Sequence, residues 1–170
     1  LYDSLSSTRK NEAFFYGALE NSLISNCKLP KCTYGVILHA SSKVTVECCD
    51  FSNSESGITI VGGSENVIRG NTVSNCDTGI DLTNTTNNTI SENVANNSTG
   101  NMYPMNSAAI SLRSGADYNI VEHNVVCDCT GVAPISSYYG HHNIIDGNMC
   151  ARNKYGNYGG YHGIITNNYC

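Results

Sequence analysis

Residues 65–76 read ENVIRGNTVSNC, and the phrase returns as YNIVEHNVVCDC at 118–129 and as HNIIDGNMCARN at 142–153. Self-similarity at a fixed period of about 20 to 50 residues is the mark of a solenoid, propeller or array. Aligned on the apolar residue at the middle of the phrase, the chain gives Ile24, Val46, Ile68, Ile90, Val121, Ile145 and Ile165, at spacings of 22, 22, 22, 31, 24 and 20. Three positions on, a second column reads Cys27, Cys49, Asn71, Asn93, Asn124, Asn148 and Asn168. Two further on, a third reads Leu29, Phe51, Val73, Ala95, Val126, Cys150 and Cys170.

Upstream of each phrase lies an apolar pair: Val36 and Leu38 in GVIL, Ile58 and Ile60 in GITI, Ile80 and Leu82 in GIDL, Ile110 and Leu112 in AISL. Apolar and polar residues alternate there, the period of a half-buried strand. Each repeat is therefore expected to hold about three short strands joined by turns, with almost no helix, because no segment keeps a 3.6-residue period. Strands so short cannot fold alone, but coils of about 22 residues can stack so that each strand pairs in parallel with its equivalent, about 4.8 Å away. The expected fold is all-β, a parallel β-helix of about seven coils. Ile and Val columns fill its interior, while Asn71, Asn93, Asn124, Asn148 and Asn168 form a structural ladder.

The pattern G-I-x-[IL] followed by N-x-I-x-x-N-x-[IV] resembles the right-handed parallel β-helix proteins, the pectate-lyase-like group whose turns carry an asparagine ladder. The resemblance covers roughly residues 20–170. It implies a right-handed β-solenoid on which polysaccharide lyases, hydrolases, epimerases, tailspikes, adhesins and surface-layer proteins are all built. Residues 1–19 are read as an N-terminal cover or partial first coil, and 20–170 as the β-helix. The spacing of 31 marks about nine extra residues near 98–106, expected to form a protruding loop.

Composition narrows the function. The net charge of −5, with no Lys/Arg cluster, leaves no electrostatic footprint for a nucleic acid. No apolar run is long enough for a transmembrane helix. Charged residues make up only 14 % of the chain, and polar weight has moved to Asn, of which there are 23. Nine cysteines, with no CxxC pair, point to an oxidising, extracellular or cell-surface location rather than to zinc. The sequons at Asn84, Asn87, Asn96 and Asn97 are glycosylation candidates consistent with that location.

Four groups of residues are candidates for chemistry or contact. Glu122 and Asp146 share an outward column on adjacent coils, with His123 beside them; they are a carboxylate pair of hydrolase type, half a calcium site, or a solvated face. The Asp-rich motifs of the group's epimerases and polygalacturonases are absent. His142 and His162 share a column after His141, a weak metal-site candidate; the resemblance implies relatives that handle copper, and no cofactor is assigned. Tyr138, Tyr139, Tyr155, Tyr158, Tyr161 and Tyr169 crowd the last coils and are expected to form an interface. Cys27 with Cys49, and Cys150 with Cys170, sit one coil apart and are disulfide candidates; Cys32, Cys48, Cys76, Cys127 and Cys129 are left for free thiols or bonds to another chain.

The sequence stops at Cys170 within the repeat, with no cover expected at that end. Together with the odd cysteine, this favours a structural extracellular protein whose copies stack end to end and cross-link through disulfides, as in a filament, hoop, sheath or surface layer. The chain is similar in this respect to the β-helix surface proteins of archaea and bacteria. A fragment of a carbohydrate-active enzyme or glycan-binding adhesin is the alternative, with a metal-handling periplasmic protein as a third reading. Its partners are thus expected to be copies of itself, with glycans second.

Overall fold

The computed structural model describes residues 13–100, 108–131, 133–157 and 159–169. The strands are β1 (Ala13–Gly17), β2 (Leu23–Ser25), β3 (Tyr34–Ser42), β4 (Thr45–Glu47), β5 (Ser56–Ser64), β6 (Val67–Arg69), β7 (Thr78–Thr83), β8 (Thr89–Ser91), β9 (Ala108–Arg113), β10 (Ile120–Glu122), β11 (Ala133–Tyr138), β12 (Ile144–Asp146) and β13 (Ile164–Thr166). Among the described residues there is no helix. Odd strands β1 to β11 form one six-stranded sheet; the even strands, closed by β13, form a seven-stranded one. Every strand pairing is parallel and links elements one repeat apart, so the chain winds as a β-solenoid of about six turns. The third side is narrower than the expected strand. It consists of single bridges, running from Lys28↔Asp50 to Met149↔Tyr169.

The register is the one the repeat demands. Ile24, Val46, Ile68, Ile90, Val121, Ile145 and Ile165 pair in sequence along the seven-stranded sheet. Val46, Ile68, Ile90, Val121 and Ile145 are wholly buried, as are Ile58, Ile80 and Ile110 on the other sheet. Burying each such side chain contributes about 1.5–3 kcal/mol, and the stacking supplies a surface that no isolated coil has. Of the loop expected near 98–106, 98–100 still bond to the preceding coil, Thr99 N–H to the Cys76 carbonyl and Gly100 N–H to the Asp77 carbonyl at 3.2 Å, and 101–106 lie outside the described residues. Pairing resumes beyond them without a slip, as Ile80↔Ile110 and Leu82↔Leu112 show.

Two kinds of backbone position explain the repeated small and amide residues. A Cβ on Gly57 would lie 2.6 Å from the Gly79 carbonyl oxygen and 2.6 Å from Val73, so glycine is needed for close approach between coils. Two residues after each central Ile, the chain turns through positive φ at Asn26, Cys48, Gly70, Glu92, His123, Gly147 and Asn167. Asn and Gly adopt that conformation most readily.

The asparagine ladder is present. Asn71, Asn93, Asn124 and Asn148 are buried, and each donates its backbone N–H and its amide Nδ2 to the Oδ1 of the next asparagine, over 2.9–3.0 Å. Each Nδ2 also donates to a carbonyl of the preceding coil, as Asn93 does to Ile68 at 2.9 Å. A second ladder, Asn66, Asn88, Asn119 and Asn143, runs up another turn with the same bonding. It corresponds to the first Asn of N-x-I-x-x-N, whereas the ladder expected from the sequence occupied the second Asn alone.

The cysteines take their places in this scheme. Among the described residues Cys27, Cys32, Cys48, Cys49, Cys76, Cys127 and Cys129 are free thiols. Cys27 and Cys49 are neighbours on adjacent coils, as expected, but as members of the first ladder. The Cys27 N–H donates to Cys49 Sγ at 3.4 Å, the Cys49 N–H donates to Asn71 Oδ1 at 3.0 Å, and the Cys49 thiol donates to the Glu47 carbonyl at 3.1 Å. Cys32, Ser54, Cys76, Cys129 and Asn153 belong to a further turn column, where the Cys32 N–H meets Ser54 Oγ at 3.1 Å and the Cys129 N–H meets Asn153 Oδ1 at 2.9 Å. Cysteine here acts as a small buried hydrogen-bonding group. Cys127 and Cys150 are also buried, whereas Cys48 is exposed. Cys170, and with it the Cys150–Cys170 pair, lies outside the described residues.

Candidate functional site

The long strands of the six-stranded sheet send alternate side chains outward, and near its middle these enclose a groove of about 440 Å³. Its floor holds Thr59 on β5 and Asp81 on β7, register partners on neighbouring coils. Arg113 on β9 reaches back across one coil and grips the Asp81 carboxylate in a two-pronged contact. Nε donates to Oδ1 at 2.8 Å, and an Nη donates to Oδ2. Tyr34, Glu55 and Ser56 line one side of the groove, and Ser56 Oγ lies 2.9 Å from Thr59 Oγ1.

Asp81 is only 6 % exposed. Burial pushes its carboxyl above the usual carboxylate range, while the Arg113 guanidinium pulls it back down. A buried ion pair contributes little net stability compared with apolar side chains of the same volume, and removing one partner is costly. This arrangement brings together a charged pair, hydroxyls and a partly exposed tyrosine in a ligand-sized concavity. Sequence reasoning did not find it. Asp81 and Arg113 stand 32 positions apart, across the insertion, and only the stacking of β7 on β9 makes them neighbours.

The expected carboxylate pair also stacks: Glu122 on β10 is the register partner of Asp146 on β12. They stand on an open face. Asp146 Oδ1 accepts from Asn167 Nδ2 at 2.9 Å, and His123 Nδ1 is 4.0 Å from Glu122 Oε2, with its side chain 65 % exposed. Elsewhere on that face Arg69 bonds Glu47 on the adjacent coil, Nε to Oε2, at 2.8 Å.

The histidines form ring stacks at one turn. Tyr118, His142 and His162 lie one above another, with ring centroids 4.9 and 5.4 Å apart and planes tilted by 11° and 14°. Beside them His141 stacks on Tyr161 at 5.4 Å, and its Nδ1 is 3.3 Å from Asp117 Oδ1. Tyr138 and Tyr139 touch at a centroid distance of 4.2 Å, and the Lys154 ammonium sits 5.3 Å from the Tyr155 ring. Tyr139, Tyr161 and Tyr169 are exposed. Tyr158 lies outside the described residues. Of the sequon asparagines, Asn84, Asn87 and Asn97 are exposed, but Asn96 Oδ1 accepts the Cys127 N–H at 2.8 Å and is engaged in the stack.

Parallel coils, inward Ile columns and buried asparagine ladders define a right-handed parallel β-helix protein of the pectate-lyase-like kind. Residues 3–170 match the family described as periplasmic copper-binding protein (NosD), and the chain belongs to that family. Among solved structures, the alginate lyase from Paenibacillus sp. str. FPU-7 is similar, with a TM-score of 0.62 and 17 % identity over 81 % of this chain and 52 % of that one. The chain thus spans about half the length of that lyase, and the likeness is one of fold. No curated protein matches the chain.

Proposed function

We propose that this chain is a glycan-binding β-helix domain of the cell envelope or exterior, and that the groove over β5, β7 and β9 is its ligand site. The observation that carries the reading is the Asp81–Arg113 pair in that groove, a buried carboxylate held by a partly exposed guanidinium. A charged pair is costly to desolvate, and here it lies beside hydroxyls and Tyr34 on the outer sheet face rather than in the interior. The family's description as periplasmic supports the location. Binding of the intact protein to an array of envelope and plant oligosaccharides tests the reading. Retention of a subset is expected, with loss in the Asp81→Ala/Arg113→Ala double variant; an array without any retained glycan overturns it. Depolymerisation of a bound glycan would make the site an enzyme's, and the Glu122–Asp146 pair would then be the first alternative to test by substitution.

The copper for which the family is described does not find a fitting site in the residues described. An ion must lie near the plane of each imidazole that binds it, about 2.0–2.1 Å from the nitrogen. The His142 and His162 rings are nearly parallel and stacked, so an ion in the plane of one is off the plane of the other. Among the described residues no group of three or more His, Cys, Asp or Glu side chains is arranged to hold a metal.

Self-assembly is the second reading, favoured by one specific feature. Ile165 continues the interior column but is 45 % exposed, and Ile164 beside it is 55 % exposed. A further coil stacked on β13 would bury both, whether it comes from the same polypeptide or from a second copy. Electron microscopy with and without reductant separates the outcomes: ordered filaments or sheets support stacking of copies, and dispersed particles in both conditions overturn it.

A further inference from the structure

The seven-stranded sheet presents a second surface, separate from the groove. In β4, β6, β8, β10 and β12 the middle residue is buried and its two neighbours are not, so the first and third residues of each short strand point outward. The first position stacks along the sheet as one column, in which Leu23, Val67, Ile120, Ile144 and Ile164 are apolar and threonine fills the other two rungs. Leu23 is 62 % exposed and Ile164 55 %. Thr45 and Thr89 show that these rungs accept a hydroxyl, so β-propensity alone does not require isoleucine there. An outward apolar column rimmed by polar residues suits a contact with another molecule. We propose that this face is where two copies of the chain pair, in register, about a two-fold axis parallel to the solenoid axis.

Charge identifies a second copy as the occupant. On each coil the column residue stands between an exposed corner residue two positions before it and an outward residue two positions after it. Those flanks are Lys43 and Glu47 on one coil, Glu65 and Arg69 on the next, and His142 and Asp146 further along. Among the described residues no coil carries the same sign on both flanks. A two-fold axis along the column sets each flank against the opposite flank of the second copy. Lys43 then meets Glu47, Glu65 meets Arg69 and His142 meets Asp146, while each apolar residue meets its own equivalent. Sliding one copy by a coil would set Glu65 against Glu47 and Lys43 against Arg69, so the charges lock the register. Arg69 already bonds Glu47 within the chain, Nε to Oε2 at 2.8 Å. Lys43 and Glu65 of the second copy extend that pair into an alternating row of four charges and do not displace it. At the coil and residue spacings the face is about 30 Å long and about 15–20 Å wide. It covers roughly 500 Å² per copy, which makes the pairing a weak, exchanging one.

Sedimentation velocity of the intact protein, from micromolar to hundreds of micromolar, should show a monomer passing to a dimer and no further, with salt moving the transition to higher concentration. Ile120→Lys, at an outward rung, should leave a monomer at every concentration with the unfolding temperature of the parent. Glu65→Lys and Arg69→Glu should each weaken pairing by at least about tenfold, because each sets like charges together twice across the axis. Mixed in equal amounts the two variants should pair again, since a mixed dimer opposes a cation to an anion at both contacts. A parent that stays monomeric, a dimer untouched by Ile120→Lys, or two charge variants that do not rescue one another overturns the proposal. Species larger than two copies that persist in Ile120→Lys overturn it in favour of stacking at the β13 end.

Discussion

Asn93 shows what one residue does in a stacked fold. Its Oδ1 receives two donors from Asn71, its own N–H goes to Asn124, and its Nδ2 caps the Ile68 carbonyl, so it ties three successive coils together. Asn93→Ala strands several buried polar groups at a cost of about 1–3 kcal/mol each. A loss of about 3–5 kcal/mol is therefore expected in denaturant unfolding. Asn93→Asp should cost nearly as much, because an oxygen would then face the Ile68 carbonyl. The ladder was readable from sequence because an amide repeated at coil spacing has few other uses in a buried turn. The role of cysteine was not: Cys49 and Cys76 are chemically able to form disulfides, and only their neighbours show them acting as ladder groups. Burial pushes both thiols up to about 11. In the unfolded chain a thiol ionises from about 8.5. Their contribution to stability is thus complete below about 8.5 and is lost as pH rises through about 11. A Cys49→Ser/Cys76→Ser variant should show a flatter fall in denaturant midpoint between pH 8 and 11 than the parent; an unchanged slope would count against these thiols as its source.

At the scale of elements, the G-I-x-[IL] segments became β5 and β7 because glycine permits coil contact and the alternation after it buries one face. Gly57→Ala places a methyl against the Gly79 carbonyl and Val73, backbone and packed core that cannot yield easily. A destabilisation of about 1–3 kcal/mol is expected from such overpacking, read as a lower unfolding temperature. The third side of the coil was expected to be a strand and is a line of single bridges, since turn residues at positive φ crowd it from either side. Pairing between β7 and β9 decides the groove. Arg113→Met would leave Asp81 buried without its cation, a loss of about 2–4 kcal/mol given that the arginine is partly exposed. A carboxyl whose folded pKa is raised contributes its stability below the ordinary value of about 3.9 and loses it as pH rises through the folded value. Removing Arg113 takes away the influence that lowers that value. The variant should therefore be more impaired at pH 7 than at pH 4, relative to the parent, in paired unfolding experiments.

For the whole molecule, the stacking that buries each coil also makes the stability nearly additive along the axis, so damage at one rung weakens its neighbours first. Native-state alkylation at pH 8 followed by peptide mapping should label exposed Cys48 first and spare Cys49, Cys76 and Cys129 until unfolding. The same map under mild oxidant would reveal a Cys27–Cys49 bond if those adjacent thiols join. What the sequence by itself determined was the solenoid: its period, its interior columns, one asparagine ladder and the stacking of Glu122 on Asp146. Each of these depends on a residue matching its equivalent one coil away, and periodicity writes that match directly into the chain. The tertiary structure alone decided the groove, the Asp81–Arg113 pair and the engagement of the cysteines. The groove and its pair depend on diagonal contacts between different residue types on different coils, and across an insertion no spacing in the sequence records which side chains will meet; the cysteines share a column with the asparagines, and only their hydrogen bonds show which role they take there.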